Sequence, residues 1–282
     1  MKIGFCMLLW TTEVNESHRP ILEDIKATGY DGVEVPMFGG TPDDFANVGK
    51  MLDEIGLERT GISIIPDAER NLLSPDADHR AAGLAHLNWL TDCAAALGAA
   101  GVGGPLHQTL GQFSGAATTD DERARARDVH RQAGDYAQAN GVTFALEAVN
   151  RFESYFANTM DDLCAYARSV DHPAIKTMYD TFHANIEERH PVDAFTRNAD
   201  DVVHIHISEN DRGVPGRGHV PWAETFAAIK ASGYDGWLTI EAFGRALPDL
   251  AAATCIWRDL AENQEVYYRE GYECIKNGLA NA

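Results

Sequence analysis

Short apolar segments alternate with helical segments along the whole chain, and this alternation constrains the fold more than any other feature. Most of the apolar segments are rich in β-branched and aromatic residues and are bounded by glycine or asparagine, a pattern typical of buried strands. We predict eight strands, at residues 2–9, 32–36, 58–65, 101–106, 143–150, 175–180, 202–208 and 236–241. Strict alternation of strands with helices implies a parallel sheet.

The intervening segments carry helix start signals. Thr41-Pro42, Ser74-Pro75-Asp76 and the capping-box pattern from Thr119 to Glu122 each precede a helical pattern. We predict helices at residues 16–28, 41–56, 74–97, 119–140, 159–170, 192–197 and 221–232, and a C-terminal helix at about 250–277. Eight repeats favour closure into an α/β (β/α)8 TIM barrel over an open sheet. No linker divides the chain, so we expect one domain over residues 1–282.

Metal-binding residue types stand at the ends of the last four predicted strands. Glu147, Asp180 and Glu241 are carboxylates, and His206 is an imidazole. The C-terminal ends of barrel strands meet at one face, where active sites lie. Burial of a carboxylate is costly unless it is paired or binds a metal. Three oxygen ligands and one nitrogen favour Mn²⁺, Mg²⁺ or Co²⁺ over a thiolate-type zinc site, so these residues predict a metal centre.

Further polar and aromatic residues lie near the same strand ends. His204 shares a strand face with His206, and we expect it to pack behind the ligands rather than to bind the metal. His107 ends the fourth strand and could either line a pocket or pack in the core. Core packing is favoured over a place in the pocket wall for three aromatic residues, Trp10, Phe38 and Phe243.

Composition excludes several partners. The formal net charge of −20 argues against a surface for nucleic acid or anionic membrane. The five cysteines are odd in number and lack CxxC spacing, as expected of reduced thiols. No apolar run approaches the roughly 20 residues of a membrane span. The N-terminus lacks a basic leader and a cleavage site, so we expect a cytoplasmic protein.

Four motifs together carry a family resemblance: Leu146–Glu153, Tyr179–His183, His204–Gly213 and Ile240–Phe243. Their sequences and spacing resemble those of the xylose-isomerase-like barrels. Among these, the chain is most similar to the ketose 3-epimerases, the group of D-tagatose, D-psicose (D-allulose) and L-ribulose 3-epimerases. The resemblance spans essentially the whole chain, and the combined spacing is much more specific than any single motif.

The resemblance implies a role for each candidate. The implied metal ligands are Glu147, Asp180, His206 and Glu241, with Mn²⁺ as the first choice and Co²⁺ or Mg²⁺ as alternatives. Glu147 and Glu241 are also the implied acid and base. The groups implied to hold the substrate oxygens around C1 to C3 are Glu153, His183 and Arg212, whose positions alone would equally suit charges in surface loops. The resemblance also implies a homo-oligomer, a dimer or tetramer.

The implied activity is metal-dependent C3 epimerisation of a free ketohexose or ketopentose of the D-tagatose, D-fructose, D-psicose or L-ribulose class. Epimerisation requires proton removal and return on opposite faces of C3, and hence two carboxylates flanking a metal-bound cis-enediolate. Only Arg212 and Arg217 could meet a substrate phosphate near strands seven and eight, which favours an unphosphorylated small-molecule sugar.

Other functions remain open at this level. A sugar or hydroxypyruvate aldose–ketose isomerase would use the same metal site and differ only in the substrate pocket. A dehydratase acting on a cyclic ketone is a further alternative on this barrel. A DNA-repair endonuclease would need more histidine ligands and a basic face, which the net charge of −20 disfavours. The intact ligand set disfavours a non-catalytic sugar-binding barrel.

Overall fold

Eight parallel strands close into a barrel in chain order in this computed structural model, which describes all 282 residues. The strands are β1 Lys2–Cys6, β2 Gly32–Pro36, β3 Glu58–Ile62, β4 Gly101–Gly104, β5 Thr143–Glu147, β6 Ile175–Asp180, β7 Val202–Ile207 and β8 Trp237–Ile240. β1 pairs with both β2 and β8, and this pairing closes the sheet. The prediction of a (β/α)8 barrel is confirmed.

Helices surround the barrel. They are α1 Arg19–Thr28, α2 Pro42–Ile55, α3 Ala77–Leu97, α4 Asp120–Ala139, α5 Met160–Val170, α6 Thr181–Glu187, α7 Pro191–Asn198, α8 Trp222–Ala231, α9 Pro248–Ala253 and α10 Gln264–Asn281. The Thr41 and Thr119 hydroxyls accept N–H groups of the first turns of α2 and α4, so both starts are closed by capping boxes. None of the helices is both long enough and apolar enough to cross a membrane.

The main apolar core lies between the sheet and the helices. Val33 and Val35 of β2 belong to it, whereas Glu34 between them faces the barrel interior and contacts side chains of β7. At the end of β4, Gly104 has a φ of 124°, and a Cβ there would lie 2.0 Å from the Ser63 carbonyl oxygen. Glycine is therefore required where β4 approaches the chain after β3.

Four strands end two or three residues earlier than the sequence pattern predicts. Met7–Leu9 form a 3₁₀ turn after β1, and β3, β4 and β5 stop at Ile62, Gly104 and Glu147. The following residues stay apolar because they remain buried at the barrel rim, as Ala148 does. The apolar pattern in the sequence therefore indicates which residues are buried. Burial extends past the last hydrogen-bonded residue of each strand, so the pattern does not mark the strand ends.

The helix pattern also differs in two places. Helix α6 was not predicted; it follows β6 directly, and the Asp180 carboxylate caps it by accepting the Phe182 N–H at 2.7 Å. The prediction of one C-terminal helix at about 250–277 is wrong, because α9 and α10 are separate helices. The chain turns between them at Cys255, which has a φ of 58°, and Asn263 caps the new helix.

Candidate active site

Four ligand-type side chains converge at the C-terminal mouth of the barrel. Glu147 and Asp180 are the last residues of β5 and β6, His206 lies one residue before the end of β7, and Glu241 directly follows β8. Each offers one ligand atom, and these four atoms all lie within 4.8 Å of one another. All four side chains are buried. The structure thus brings together the four predicted ligands on successive strands.

The donor set fits a divalent cation. Glu147 Oε1 and His206 Nδ1 are buried and have no hydrogen-bond partner. His206 Nδ1 lies 3.4 Å from Glu241 Oε2 and 3.7 Å from Asp180 Oδ2. Buried polar atoms without partners are costly, and a cation bound among them would satisfy both. Three carboxylates and one imidazole are ligands that Mn²⁺, Mg²⁺ or Co²⁺ accept.

The carboxylates of the cluster differ in their electrostatics. Burial, reinforced by the nearby Asp180 and Glu241 carboxylates, raises the pKa of Glu147 well above its usual range. Burial also acts to raise the pKa of Asp180, but the Arg212 guanidinium and His206 hold it well below its usual range. Neighbouring groups whose pKa values are pushed apart are typical of catalytic sites.

Arg212 links the two sides of the cluster. Its Nη1 donates hydrogen bonds to Asp180 Oδ2 at 2.7 Å and to Glu241 Oε2 at 2.6 Å. The guanidinium carbon lies 4.0 Å from the Phe182 ring centroid and 5.2 Å from that of Phe243. Arg212 also has a φ of 63°, which is uncommon for a residue other than glycine. The loop after β7 therefore holds a desolvated, oriented guanidinium over the site.

His183 and Glu153 complete the polar wall of the site, and Asn150 positions both. The Asn150 backbone N–H donates to His183 Nδ1 at 3.0 Å, and its side-chain amide donates to Glu153 Oε1 at 2.7 Å. His183 Nε2 lies 2.9 Å from Arg212 Nη2 and 3.6 Å from Glu147 Oε1. Burial, with the nearby Arg212 charge, lowers the pKa of His183 to about 3, so its ring is neutral near pH 7.

A cavity of about 340 Å³ opens above the cluster. The predicted acid and base and the three predicted substrate-binding residues all line it, whereas Asp180 and His206 lie beneath its surface. Its remaining wall is mostly apolar and includes Leu8, Phe38, Ile62, Leu110 and Phe243. Phe38, which is 38% exposed, is thus a pocket wall, contrary to the expected core packing, because the rim at its strand end is open. Phe243 also lines the cavity but is buried in a small apolar cluster with Leu8 and Ile62, as core packing predicts. Trp10 instead packs against Phe5 and Tyr268, as predicted.

Two further histidines, His107 and His204, lie behind the site. His107 is fully buried and does not line the cavity; its Nε2 lies 2.8 Å from the Glu147 carbonyl oxygen. His204 is also buried, with Nε2 3.0 Å from Glu34 Oε1. The prediction that His204 packs behind the ligands agrees with this position.

Glu34 is the residue that sequence reasoning missed. Its Oε2 accepts a hydrogen bond from His206 Nε2 at 2.9 Å. Burial acts to raise its pKa, but the His206 and His204 rings hold it well below its usual range. A signal was present, since a glutamate inside the otherwise apolar segment Gly32–Pro36 has no exposed strand face to occupy.

Comparison with known proteins agrees with this geometry. Residues 22–277 match the family described as xylose isomerase-like TIM barrel. The D-psicose 3-epimerase of Ruminiclostridium cellulolyticum is 31% identical, covering 94% of this chain and 92% of the relative. The L-ribulose 3-epimerase of Methylomonas sp. (strain DH-1) is 30% identical, covering 98% and 97%.

Solved structures give the same result. The D-psicose 3-epimerase of Clostridium cellulolyticum H10, solved with D-tagatose, matches with a TM-score of 0.90 and 29% identity over 99% of each chain. The D-allulose 3-epimerase of Methylomonas sp. matches with a TM-score of 0.92 and 28% identity. Both similarities cover the whole barrel, including the strand ends that carry the four ligand-type residues.

Proposed function

Because the chain belongs to the xylose isomerase-like TIM barrel family, we propose that it is an isomerase that inverts C3 of an unphosphorylated ketose with the help of a divalent cation. The names of its full-length relatives, D-psicose and L-ribulose 3-epimerase, support this reaction class. One observation carries the proposal. Of the four clustered residues, only Glu147 and Glu241 line the cavity, while Asp180 and His206 lie beneath it.

Two carboxylates at the cavity surface suit an epimerase. The hydrogen on C3 is weakly acidic because C2 is a carbonyl carbon. One glutamate takes this proton, and the electrons of the C3–H bond form the C2–C3 double bond of an enediolate with negative charge on O2. The other glutamate then gives its proton to the opposite face of C3. One carboxylate ends protonated and the other ionised, and the reverse reaction exchanges their roles.

The raised pKa of Glu147 supports this scheme. In the metal-free cluster, burial and like charges make ionisation of Glu147 costly, so this carboxylate takes up a proton readily. The scheme needs one of the two glutamates to carry the proton that the acid donates. A Mn²⁺, Co²⁺ or Mg²⁺ ion held by Glu147, Asp180, His206 and Glu241 would supply Lewis-acid stabilisation of the negative charge that develops beside C3.

The remaining polar residues hold the substrate. Arg212 lines the cavity together with Glu147 and Glu241, so its guanidinium can stabilise negative charge that develops on O2. His183, neutral and fixed by Asn150, can bind a hydroxyl or carbonyl oxygen without adding charge. Glu153 can accept a hydrogen bond from a hydroxyl near C1. These groups line the cavity together with Glu147 and Glu241, where the reacting end of the sugar would lie.

The cavity favours an unphosphorylated substrate. Arg212 is the only lysine or arginine that lines it, and its guanidinium is already bonded to Asp180 and Glu241. A sugar phosphate would need free cationic donors. The volume of about 340 Å³ lies in the range of small-molecule sites.

The test is proton exchange in D₂O. Protein loaded with Mn²⁺ is incubated with D-psicose, D-tagatose and L-ribulose, products are separated by chromatography, and deuterium is located by NMR. We expect the C3 epimer, with deuterium at C3. An aldose product, or deuterium at C1, would assign the protein to the aldose–ketose isomerases instead. The absence of any exchange with the metal bound would contradict a ketose substrate.

A further inference from the structure

A fully buried carboxylate lies inside the barrel beneath the active-site cluster. Glu34 of β2 is 0% exposed and does not line the cavity above Glu147 and Glu241. It therefore cannot contact a substrate there. A buried carboxylate is costly unless it is fully partnered, so its presence in the interior needs a physical reason.

The contacts of Glu34 point toward His206. Glu34 Oε2 lies 2.9 Å from His206 Nε2, within hydrogen-bond geometry. The other ring nitrogen, Nδ1, faces Glu241 and Asp180 and has no hydrogen-bond partner. The two ring nitrogens of His206 are thus divided between the carboxylate below and the ligand cluster above.

The second oxygen of Glu34 is held as well. Oε1 lies 3.0 Å from His204 Nε2 and accepts a longer hydrogen bond from the Thr60 hydroxyl at 3.4 Å. His204 Nε2 is close but not in hydrogen-bond geometry, so the hydrogen bonds that restrain the carboxylate come from His206 on β7 and Thr60 on β3. Its Oε2 is therefore fixed under the His206 ring.

We infer that Glu34 is a positioning residue for the metal centre: it accepts the Nε2–H of His206, so that Nδ1 is left as the lone-pair donor aimed at the cation. An imidazole ligand binds through one nitrogen, and the group bonded to the other fixes the tautomer and ring orientation. A carboxylate in that position also makes the ligand nitrogen more basic. The inference rests on the metal site of the proposed function but not on the identity of the sugar.

The test measures Mn²⁺ affinity by calorimetry on the full chain, first stripped with EDTA. Glu34→Gln keeps the shape of the side chain but can present its amide N–H to Nε2, which would place the ring hydrogen on Nδ1. We expect Mn²⁺ to bind about 10- to 100-fold more weakly. The matched control is Thr60→Val, which removes the longer contact on Oε1 and leaves the bond to His206; its affinity should stay within about threefold of the wild type.

Thermal unfolding without metal separates positioning from a general structural role. Glu34→Gln should unfold close to the wild-type temperature when both proteins are metal-free. Addition of Mn²⁺ should raise its unfolding temperature by less than it raises that of the wild type. An equal loss of stability in both conditions, with the Mn²⁺ affinity unchanged, would overturn the inference. So would a second bound equivalent of Mn²⁺ that Glu34→Gln loses while the first is unaffected, because Glu34 would then be a ligand.

A measurement on the wild type covers the case in which the variant does not fold. Nitrogen-15 NMR of the Mg²⁺-loaded protein should show the His206 ring protonated at Nε2, and a ring protonated at Nδ1 would overturn the inference. Failure of the proposed function is distinguishable. Mn²⁺ binding without C3 exchange would remove the ketose substrate and leave the role of Glu34 intact, whereas a wild type that binds no Mn²⁺ would overturn both.

Discussion

The two mouths of the barrel hold cavities of nearly equal size and opposite character. The C-terminal cavity measures about 340 Å³ and the N-terminal one about 350 Å³. At the N-terminal mouth the charged residues pair across the surface, Lys2 with Glu58 and Arg59 with Asp53. At the C-terminal mouth Arg212 and Glu241 are buried and bonded to each other. The two ends of the barrel therefore do not differ in cavity volume. They differ in whether converging charged side chains are buried.

The difference has an energetic basis. Exposed ion pairs contribute about 0–1 kcal/mol because water screens both partners. Buried charges lose their hydration, so they are retained only with matched partners or a bound ion, and their pKa values shift. The raised pKa of Glu147 and the lowered pKa of Asp180 are such shifts. The C-terminal mouth thus holds buried, coupled charges, whereas each ion pair at the N-terminal mouth keeps at least one carboxylate that is half exposed or more.

The largest expected effect compares one carboxylate at each mouth. Glu147→Gln or Glu241→Gln should lower ketose epimerisation by about 10³-fold or more, since each removes a proton-transfer group. Glu58→Gln at the N-terminal mouth should change the rate by less than about twofold. Steady-state rates with Mn²⁺ present measure this. Comparable losses at both mouths would contradict the distinction.

The second prediction concerns a buried group at neither mouth. Burial lowers the pKa of His130 from 6.5 to about 4, and its ring contacts the Tyr166 hydroxyl and the Leu106 carbonyl oxygen. The folded state keeps this ring neutral, so the unfolded state takes up the proton first as the pH falls. Its contribution to stability is complete above pH 6.5 and is lost between pH 6.5 and pH 4, at up to about 1.4 kcal/mol per pH unit.

Denaturant unfolding of the wild type and His130→Gln at several pH values tests this. The free energy of unfolding should fall more steeply with acid in the wild type than in the variant over that range. Both proteins should keep equal C3 epimerisation rates relative to their folded fraction, because His130 does not line the cavity. Parallel pH profiles for the two proteins would contradict a neutral buried His130.

Metal addition gives the third comparison. Mn²⁺ at about 100 times its dissociation constant should stabilise the folded protein by about 2.7 kcal/mol. Thermal unfolding with Mn²⁺ and with EDTA measures the gain. Asp180→Asn should reduce the gain, because Asp180 is one of the four converging groups. Lys2→Met at the opposite mouth should leave it unchanged.

The smallest effect is expected for the surface pairs themselves. Lys2→Met removes the pair with Glu58, and both side chains are about half exposed. The free energy of unfolding should change by less than about 1 kcal/mol, and less still in high salt. A loss of several kcal/mol, measured by denaturant unfolding, would show that the N-terminal mouth holds buried, coupled charges after all.

The sequence was sufficient for the parts of the site that local pattern determines. Glu147, Asp180 and Glu241 stand at or just beyond strand ends, and barrel closure brings strand ends to one face. It was not sufficient for contacts between elements far apart in the chain. The pairing of Glu34 with His206 joins β2 to β7 across the barrel, and no local pattern reports it.

The prediction of a single C-terminal helix was wrong for a similar reason. The sequence keeps a helical pattern through this segment, but the chain turns so that Ile256 can pack in a small cluster with Leu8 and Phe243 at the mouth of the barrel. Tertiary packing overrode helix propensity there. The homo-oligomer expected from the family resemblance stays a prediction.

The most direct test of the two-carboxylate account is solvent exchange by the two glutamine variants, each with its bound Mn²⁺ quantified. In D₂O, Glu147→Gln should exchange the C3 hydrogen of one epimer of a ketose pair without inverting it, and Glu241→Gln should do so only with the other epimer. Each remaining glutamate can reach one face of C3 alone. Exchange of the same epimer by both variants, or inversion by either one with metal bound, would contradict the account.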